Sequence, residues 1–344
     1  MKPDASFPLD LIRSRPHTMW RYAEALPFAL DAQAPPRLTM GEGGTPLVPV
    51  VLAGRTVLAK LEFVSPTLSF KDRGAVVVVA RALEEGARRL VADSSGNAGM
   101  AIAAYAARAG LACTVFVPAA TSAPKLAAIR AHGAEVRSVP GTREDVAAAA
   151  AEEVEATGAR YASHVYDPAF VQGTKTFAFE LWEQLGAAPG SAPGTLVLPV
   201  GNGTLVLGAL LGFAELRAAG VLERQPRVVA VQAAACAPLA QAFEQGSLEP
   251  APVIPARTVA EGVAVAAPAR GTEILAAVRS EGGTIVAVDD AVVEEAARLL
   301  ARQGLYVEPT AALPAAAVLD GLVFDDATGP IVVPLAGAGL KSAG

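Results

Sequence analysis

Cysteine and histidine are scarce in this chain of 344 residues, with two of the first and three of the second. Cys113 and Cys236 each lie inside an apolar stretch, which fits reduced core thiols rather than a disulfide. His17, His132 and His164 have no neighbour at ligand spacing, and no Cys or carboxylate cluster accompanies them, so no metal centre is expected. His132 precedes Gly133 at a helix end, where capping explains it. No nucleophile elbow marks a Ser-His-Asp hydrolase. Charge is sparse too. Only 18% of residues are charged against 52% hydrophobic, too much apolar material for disorder and enough for a large core. A net charge of −6 and a pI near 5.3 offer nothing to nucleic acid or an anionic membrane surface. No apolar run reaches the length of a membrane span, and the first residues carry no secretory pattern, so a cytoplasmic protein is expected. The length exceeds what one core usually supports, which predicts two domains.

What is present begins with Ser69-Phe70-Lys71-Asp72-Arg73-Gly74, which puts a lysine where a helix starts. Ser69 is a good N-cap, the run Gly74 to Leu83 is apolar, and Gly86 is a stop signal. A lysine in the first turn meets the positive end of the helix dipole, and packing among Phe70 and the valines would desolvate it. A neutral amine on a rigid element is what Schiff-base chemistry needs. The competing reading is a surface lysine whose stem snorkels over the valines.

Two further stretches bear on that choice. Val91 to Ala101 reads as a strand, a turn Asp93-Ser94-Ser95-Gly96-Asn97, then a helix running to Gly110. Hydroxyls and an amide then stand at the carboxyl end of a strand beside a helix N-terminus, where anions bind. Leu196 to Leu205 repeats the arrangement, with Gly201 and Gly203 letting backbone N–H groups approach a phosphate. Plain helix capping is the alternative for each turn alone.

Strands are predicted at Leu90–Asp93, Ala112–Val117, Ala134–Val139, Leu196–Val200, Arg227–Gln232, Thr284–Val288 and Pro330–Leu335, in continuous apolar runs that suit parallel sheets. Helices are predicted at Lys125–His132, Thr142–Ala156, Phe170–Leu185, Val206–Ala219, Ala291–Gln303 and Thr310–Leu319. Segments 186–194 and 249–256 read as connections rich in Gly, Pro and Ala. The alternation makes an α/β protein.

The motifs together resemble the fold-type II pyridoxal-phosphate enzymes, and within them the threonine synthase group, over nearly the whole length. Met19-Trp20-Arg21-Tyr22, Leu26-Pro27 and Gly41 to Leu47 look like that group's entry segment. Ser65-Pro66-Thr67-Leu68 followed by Ser69 to Gly74 is similar to its lysine motif. Ser94 to Asn97 resembles its Ser-Ser-Gly-Asn loop, Pro199 to Thr204 its phosphate loop. Gly304 to Ala312 and Gly337 to Lys341 match its C-terminal landmarks.

The resemblance implies a small mobile domain at 86–169 inserted into a larger one formed by 1–85 and 170–344. Each would hold a mainly parallel sheet flanked by helices, with the cofactor in the cleft between them. It implies that Lys71 carries pyridoxal 5'-phosphate through its amine and, once freed, moves the proton at the substrate's Cα. Gly201, Asn202, Gly203 and Thr204 would hold the cofactor's phosphate, with Leu205 behind them. Phe70 would pack on the cofactor, Asn97 would donate to its ring hydroxyl oxygen, and Ala336 would face its pyridine nitrogen. Ser94, Ser95, Gly96, Asn97 and Ala98 would bind the carboxylate of a small amino acid, Ser95 taking part in catalysis with Lys71, while Asp167 and Lys125 would adjoin the substrate. Asp72 and Arg73 would make structural hydrogen bonds or an ion pair. A homodimer or higher homo-oligomer is the expected assembly.

Three departures bear on the reaction. Asp167-Pro168-Ala169-Phe170 stands before Gly173-Thr174-Lys175-Thr176 where threonine synthases show Asn-Pro-x-Arg, whose asparagine and arginine hold a substrate phosphate. That leaves Lys125 and Lys175 as the cations nearby. His164 to Pro168 and Thr258 to Val265 look more like threonine and serine dehydratases. Ala336 stands where both groups place Ser or Thr, and alanine offers no hydrogen bond. The implied reaction is elimination or replacement at the β or γ carbon, on O-phosphohomoserine in the group's default. Dehydration of threonine or serine to a 2-oxo acid and ammonia is the alternative, and a non-catalytic pyridoxal-phosphate carrier is a third reading.

Overall fold

The apolar runs of the sequence become ten strands among the described residues, which are 5–27, 37–323 and 329–341 of a computed structural model. In chain order they are β1 (Leu47–Leu52), β2 (Arg55–Lys60), β3 (Arg89–Ala92), β4 (Ala112–Pro118), β5 (Glu135–Val139), β6 (Arg160–Tyr161), β7 (Thr195–Pro199), β8 (Arg227–Ala233), β9 (Thr284–Val288) and β10 (Ile331–Pro334). All seven predicted strands are among them. The chain divides into two compact units, one from the described parts of Met1–Ala25, Gly43–Val64 and Lys175–Ala343, the other from those of Leu26–Glu42 and Ser65–Thr174. No described helix is long and apolar enough to cross a membrane.

The first unit holds a six-stranded sheet in the order β1-β2-β10-β7-β8-β9. Only β1 and β2 are antiparallel; every other pairing is parallel. All five residues of β7 are buried, as a parallel strand covered on both faces requires. The β1–β2 hairpin, which the alternating pattern did not reveal, turns over Ala53 and Gly54 at φ of 50° and 74°. Two left-handed residues in a two-residue loop match the twist of the strands they join. The outer edge of β1 is closed by Pro49 and by Gln303, whose amide accepts from Val51 N at 2.9 Å and donates to Val51 O at 3.0 Å. Such plugs stop another strand from pairing there.

The second unit holds a four-stranded, wholly parallel sheet in the order β5-β4-β3-β6. Val91, Phe116, Val146, Ala150 and Ala159 form a buried cluster between this sheet and the Arg143–Thr157 helix. That helix starts with a capping box: Thr142 Oγ1 accepts from Asp145 N, and Asp145 accepts from Thr142 N at 2.6 Å. Cys113 and Cys236 are both free and buried, and burial pushes the Cys113 thiol up to about 12.

One predicted helix is two. Phe170–Leu185 appears as Pro168–Thr174 and Thr176–Gln184, parted at Lys175. Lys175 is fully buried and its ammonium reaches Glu215 at 2.9 Å. A buried lysine must find a carboxylate, and periodicity alone does not show that demand.

Two glycines set the packing of the second unit. A Cβ on Gly74 would strike the Phe170 ring, while one on Gly173 would collide with the Arg73 carbonyl and lie 2.8 Å from Gly74 Cα. The Lys71–Glu84 and Pro168–Thr174 helices therefore touch backbone to backbone. Gly173→Ala should lower stability by roughly 1–3 kcal/mol, because overpacking against backbone cannot relax by a rotamer change. Helix propensity alone would give a gain of about 1 kcal/mol. The urea midpoint decides the sign, and an unchanged or raised midpoint would refute the close crossing.

Candidate active site

Lys71 is the first residue of a 14-residue helix, and Phe70 occupies the N-cap without a side-chain cap bond. The capping predicted for Ser69 does not occur; its hydroxyl is buried and has no partner among the described residues. The helix start is held by Asp72 instead. One carboxylate oxygen accepts from Thr67 N at 2.7 Å and the other from Thr67 Oγ1 at 2.5 Å. This fixes the Ser65–Leu68 turn, in which Leu68 is left-handed at φ 62°. The Lys71 ammonium lies 4.4 Å from the Phe70 ring centroid and 5.8 Å from that of Phe170. The amine thus stands half-buried among aromatic faces, on a helix anchored by a buried carboxylate.

The turn after β3 lies in the same unit. Asn97 opens a 13-residue helix whose N-cap, Gly96, is extended and supplies no side-chain bond. The Ser94 carbonyl packs so closely on Gly99 that a Cβ there would overlap it. Ser94, Ser95 and Asn97 are half-buried, Gly96 is exposed and Ala98 is buried. Asp93, just before them, is 3% exposed and holds the Arg143 guanidinium at 2.8 Å.

His164 is the group that spacing arguments pass over, since they ask only whether it has a metal-ligating neighbour. It is 9% exposed and meets the Phe170 ring edge-on at a centroid distance of 6.0 Å. Burial, then the Lys71 charge, then that of Arg143 hold its pKa well below the ordinary histidine value. The ring is therefore neutral. Asp167 turns to its own unit: it accepts from Ala169 N at 2.9 Å at the start of the Pro168–Thr174 helix and from Arg160 at 2.9 Å. Burial raises its pKa against those bonds. Lys125 lies half-buried on the Ala123–Ala131 helix. Lys175, left by the sequence as a spare cation, is committed to Glu215.

The glycine loop belongs to the first unit. It links β7 to a 15-residue helix, Thr204–Ala218, that also starts without a side-chain cap. Gly203 is left-handed at φ 77°, and a Cβ there would strike Ile274. A Cβ on Gly201 would lie 3.1 Å from Val263 Cα and 3.2 Å from Val265 Cγ2, so the Thr258–Val265 segment backs the loop. Asn202 is half-buried, and Gly201, Thr204 and Leu205 are buried. Ala336 is buried after β10, beside Gly337, whose missing side chain leaves room for the Glu308 carboxylate.

The neutral state of His164 sets a pH response. A histidine with a depressed folded pKa contributes stability that is complete above the unfolded value, about 6.5, and lost as pH falls from there toward the folded value. Urea midpoints should accordingly drop as pH falls below about 6.5. His164→Phe should flatten that drop, with His132 (lowered by burial) keeping part of it. An unaltered slope in the variant would mean that the imidazole is not buried neutral.

Residues 38–337 match the family described as pyridoxal-phosphate dependent enzymes. A threonine synthase of Methanosarcina acetivorans is 33% identical over 311 residues, covering 88% of this chain and 75% of that protein. One from Mycobacterium tuberculosis is 33% identical over 336 residues, covering 95% and 89%. Among solved structures, a T.th. threonine deaminase superposes with a TM-score of 0.74 at 31% identity, covering 89% of this chain and 96% of that one. Maize serine racemase, at 20% identity and a TM-score of 0.74, shares the fold. The two parallel-stranded units and the lysine helix thus fall in place, and the chain belongs to the fold-type II pyridoxal-phosphate dependent enzymes.

Proposed function

We propose that the chain catalyses elimination or replacement at the β or γ carbon of a small amino acid, as an enzyme of the threonine synthase group. The observation that carries this reading is the Lys71 amine, held at a helix start with its ammonium 4.4 Å from the Phe70 ring centroid. The residues present suit the cofactor. The glycine loop leads into a helix N-terminus whose N-cap, Gly203, supplies no side-chain bond, and the missing side chains of Gly201 and Gly203 let the loop pack against Val263 and Ile274. An orphaned Ser69 hydroxyl lies two residues before the lysine.

In this reading Gly201 to Thr204 would hold the cofactor's phosphate through backbone N–H groups and the Thr204 hydroxyl, and Asn97 would donate to its ring oxygen. Bound pyridoxal phosphate supplies the electron sink for bond cleavage at Cα. Lys71 takes and returns the Cα proton from the first turn of its helix. The turn from Ser94 to Ala98 binds the α-carboxylate with hydroxyls and backbone N–H groups at the helix start, which orients the Cα–H bond toward the amine. In this reading the enzyme works in the cytoplasm as a homo-oligomer. Borohydride reduction of the holoenzyme followed by peptide mass mapping should place the label on Lys71; label on Lys60, Lys125, Lys175 or Lys341 would reject the assignment.

A second reading, deamination of threonine or serine, is favoured by the surroundings of position 170. Phe170 is fully buried, Asp167 is paired with Arg160, and Lys175 is paired with Glu215. None of them is placed to grip a dianion, which needs paired donors and positive charge. O-phosphohomoserine should therefore be a weak substrate beside threonine or serine. Steady-state kinetics scored by phosphate and by ammonia release decides, and a kcat/KM for phosphohomoserine higher by orders of magnitude would establish the threonine synthase reaction instead.

A further inference from the structure

We propose that His164 sets substrate specificity by hydrogen-bonding the side-chain hydroxyl of an unphosphorylated β-hydroxy amino acid, an inference that rests on the function proposed above. His164 is 9% exposed, and among the described residues its ring nitrogens have no hydrogen-bond partner. Neither nitrogen is among the sealed-off polar atoms that lack a partner, so both remain within reach of water or of a bound ligand. The imidazole and the Lys71 ammonium adjoin the same Phe170 ring, at 6.0 Å and 5.8 Å from its centroid. The ring that lacks partners thus stands in the neighbourhood of the amine that would act on Cα.

The charges around it choose the kind of group it accepts. Lys71 and Arg143 both oppose protonation of the imidazole, so it presents one donor and one acceptor and no charge. Arg143 is itself held by the buried Asp93 carboxylate at 2.8 Å, which offsets its charge. The Tyr161 phenol, which interacts with Asp93 and Ser163, is held protonated by burial. Phe170 contributes an apolar ring. A phosphate dianion finds no cation in this set beyond the Asp93-held Arg143 and the lysine that does the chemistry. A hydroxyl, itself donor and acceptor, matches a neutral imidazole.

The test measures binding without turnover. Holoenzyme carrying Lys71→Ala is titrated calorimetrically at pH 8 with L-threonine and with L-2-aminobutyrate, which differ by one hydroxyl. With His164 in place, threonine should bind on the order of tenfold more tightly, the worth of one hydrogen bond. In the added His164→Phe variant the two should bind within about twofold of each other, and His164→Gln, which keeps a donor and an acceptor, should retain part of the preference. His164→Leu gives the same comparison if the Phe variant does not fold. No hydroxyl preference in the parent, or an undiminished one in the Phe variant, overturns the proposal. Turnover by unsubstituted holoenzyme, measured in parallel, separates the two claims. If turnover persists while the hydroxyl preference is missing, only the role of His164 falls. If the preference is present but no amino acid is turned over, the proposed function falls and His164 stands.

Discussion

The backbone contact between Gly74 and Gly173 is the constraint on which the lysine's surroundings depend. Without side chains at either position, the Lys71–Glu84 and Pro168–Thr174 helices approach until the Arg73 carbonyl fills the space above Gly173. That approach brings Phe170 against Gly74, and the same ring adjoins both the Lys71 ammonium and the His164 imidazole. Packing and chemistry thus share one residue. A methyl group at either glycine would push the ring, and the ring would push the groups beside it, because interiors packed to crystal density pass strain on.

In the other unit the corresponding determinants are buried ion pairs. Lys60 is wholly buried and donates to Thr45 O at 2.6 Å, Glu180 at 2.8 Å and Gln184 at 3.0 Å, while Glu180 also accepts from Gly44 N at 2.8 Å. The entry segment Gly43 to Thr45 is tied by that network to the Thr176–Gln184 helix. Lys175 and Glu215 form a second such pair, each fully buried. Buried pairs of this kind are poor sources of net stability, since desolvation of both charges opposes their attraction. Their effect is to fix register, because neither partner tolerates being left alone.

Much of this architecture is legible in the residues. Long apolar runs mark the parallel strands, since a strand covered on both faces leaves no alternation to misread, and Thr142 with Asp145 announces a helix start that the capping box fulfils. The β1–β2 hairpin escapes because its turn, Ala53-Gly54, puts a non-glycine residue at positive φ and so lacks the usual Asn-Gly or Asp-Gly signature. Ser69 misleads for a related reason. A serine before a helix normally caps it, but Asp72 engages Thr67 and leaves Phe70 at the cap position. The pairings Lys175–Glu215 and Arg143–Asp93 join residues 40 and 50 positions apart, and no local pattern encodes such partners. His164 escapes because its significance lies in what surrounds it in space.

The double role of Phe170 also bears on how substrate choice could change. The resemblance would place an arginine at 170 to hold a substrate phosphate, which makes Phe170 look like a single step away from that specificity. It is not. Phe170 is 0% exposed and its ring occupies the volume that Gly74 leaves empty. A guanidinium there would lose its water beside the Lys71 ammonium, and the carboxylate nearest in sequence, Asp167, is already held by Arg160. Leaving a charge buried without a partner costs several kcal/mol, more than a marginally stable fold readily absorbs. A phosphate-gripping arginine at this position therefore requires a different partner for Gly74 and a release of Asp167 at the same time. Specificity here is a property of the helix crossing as a whole, and the fold would resist its exchange one residue at a time.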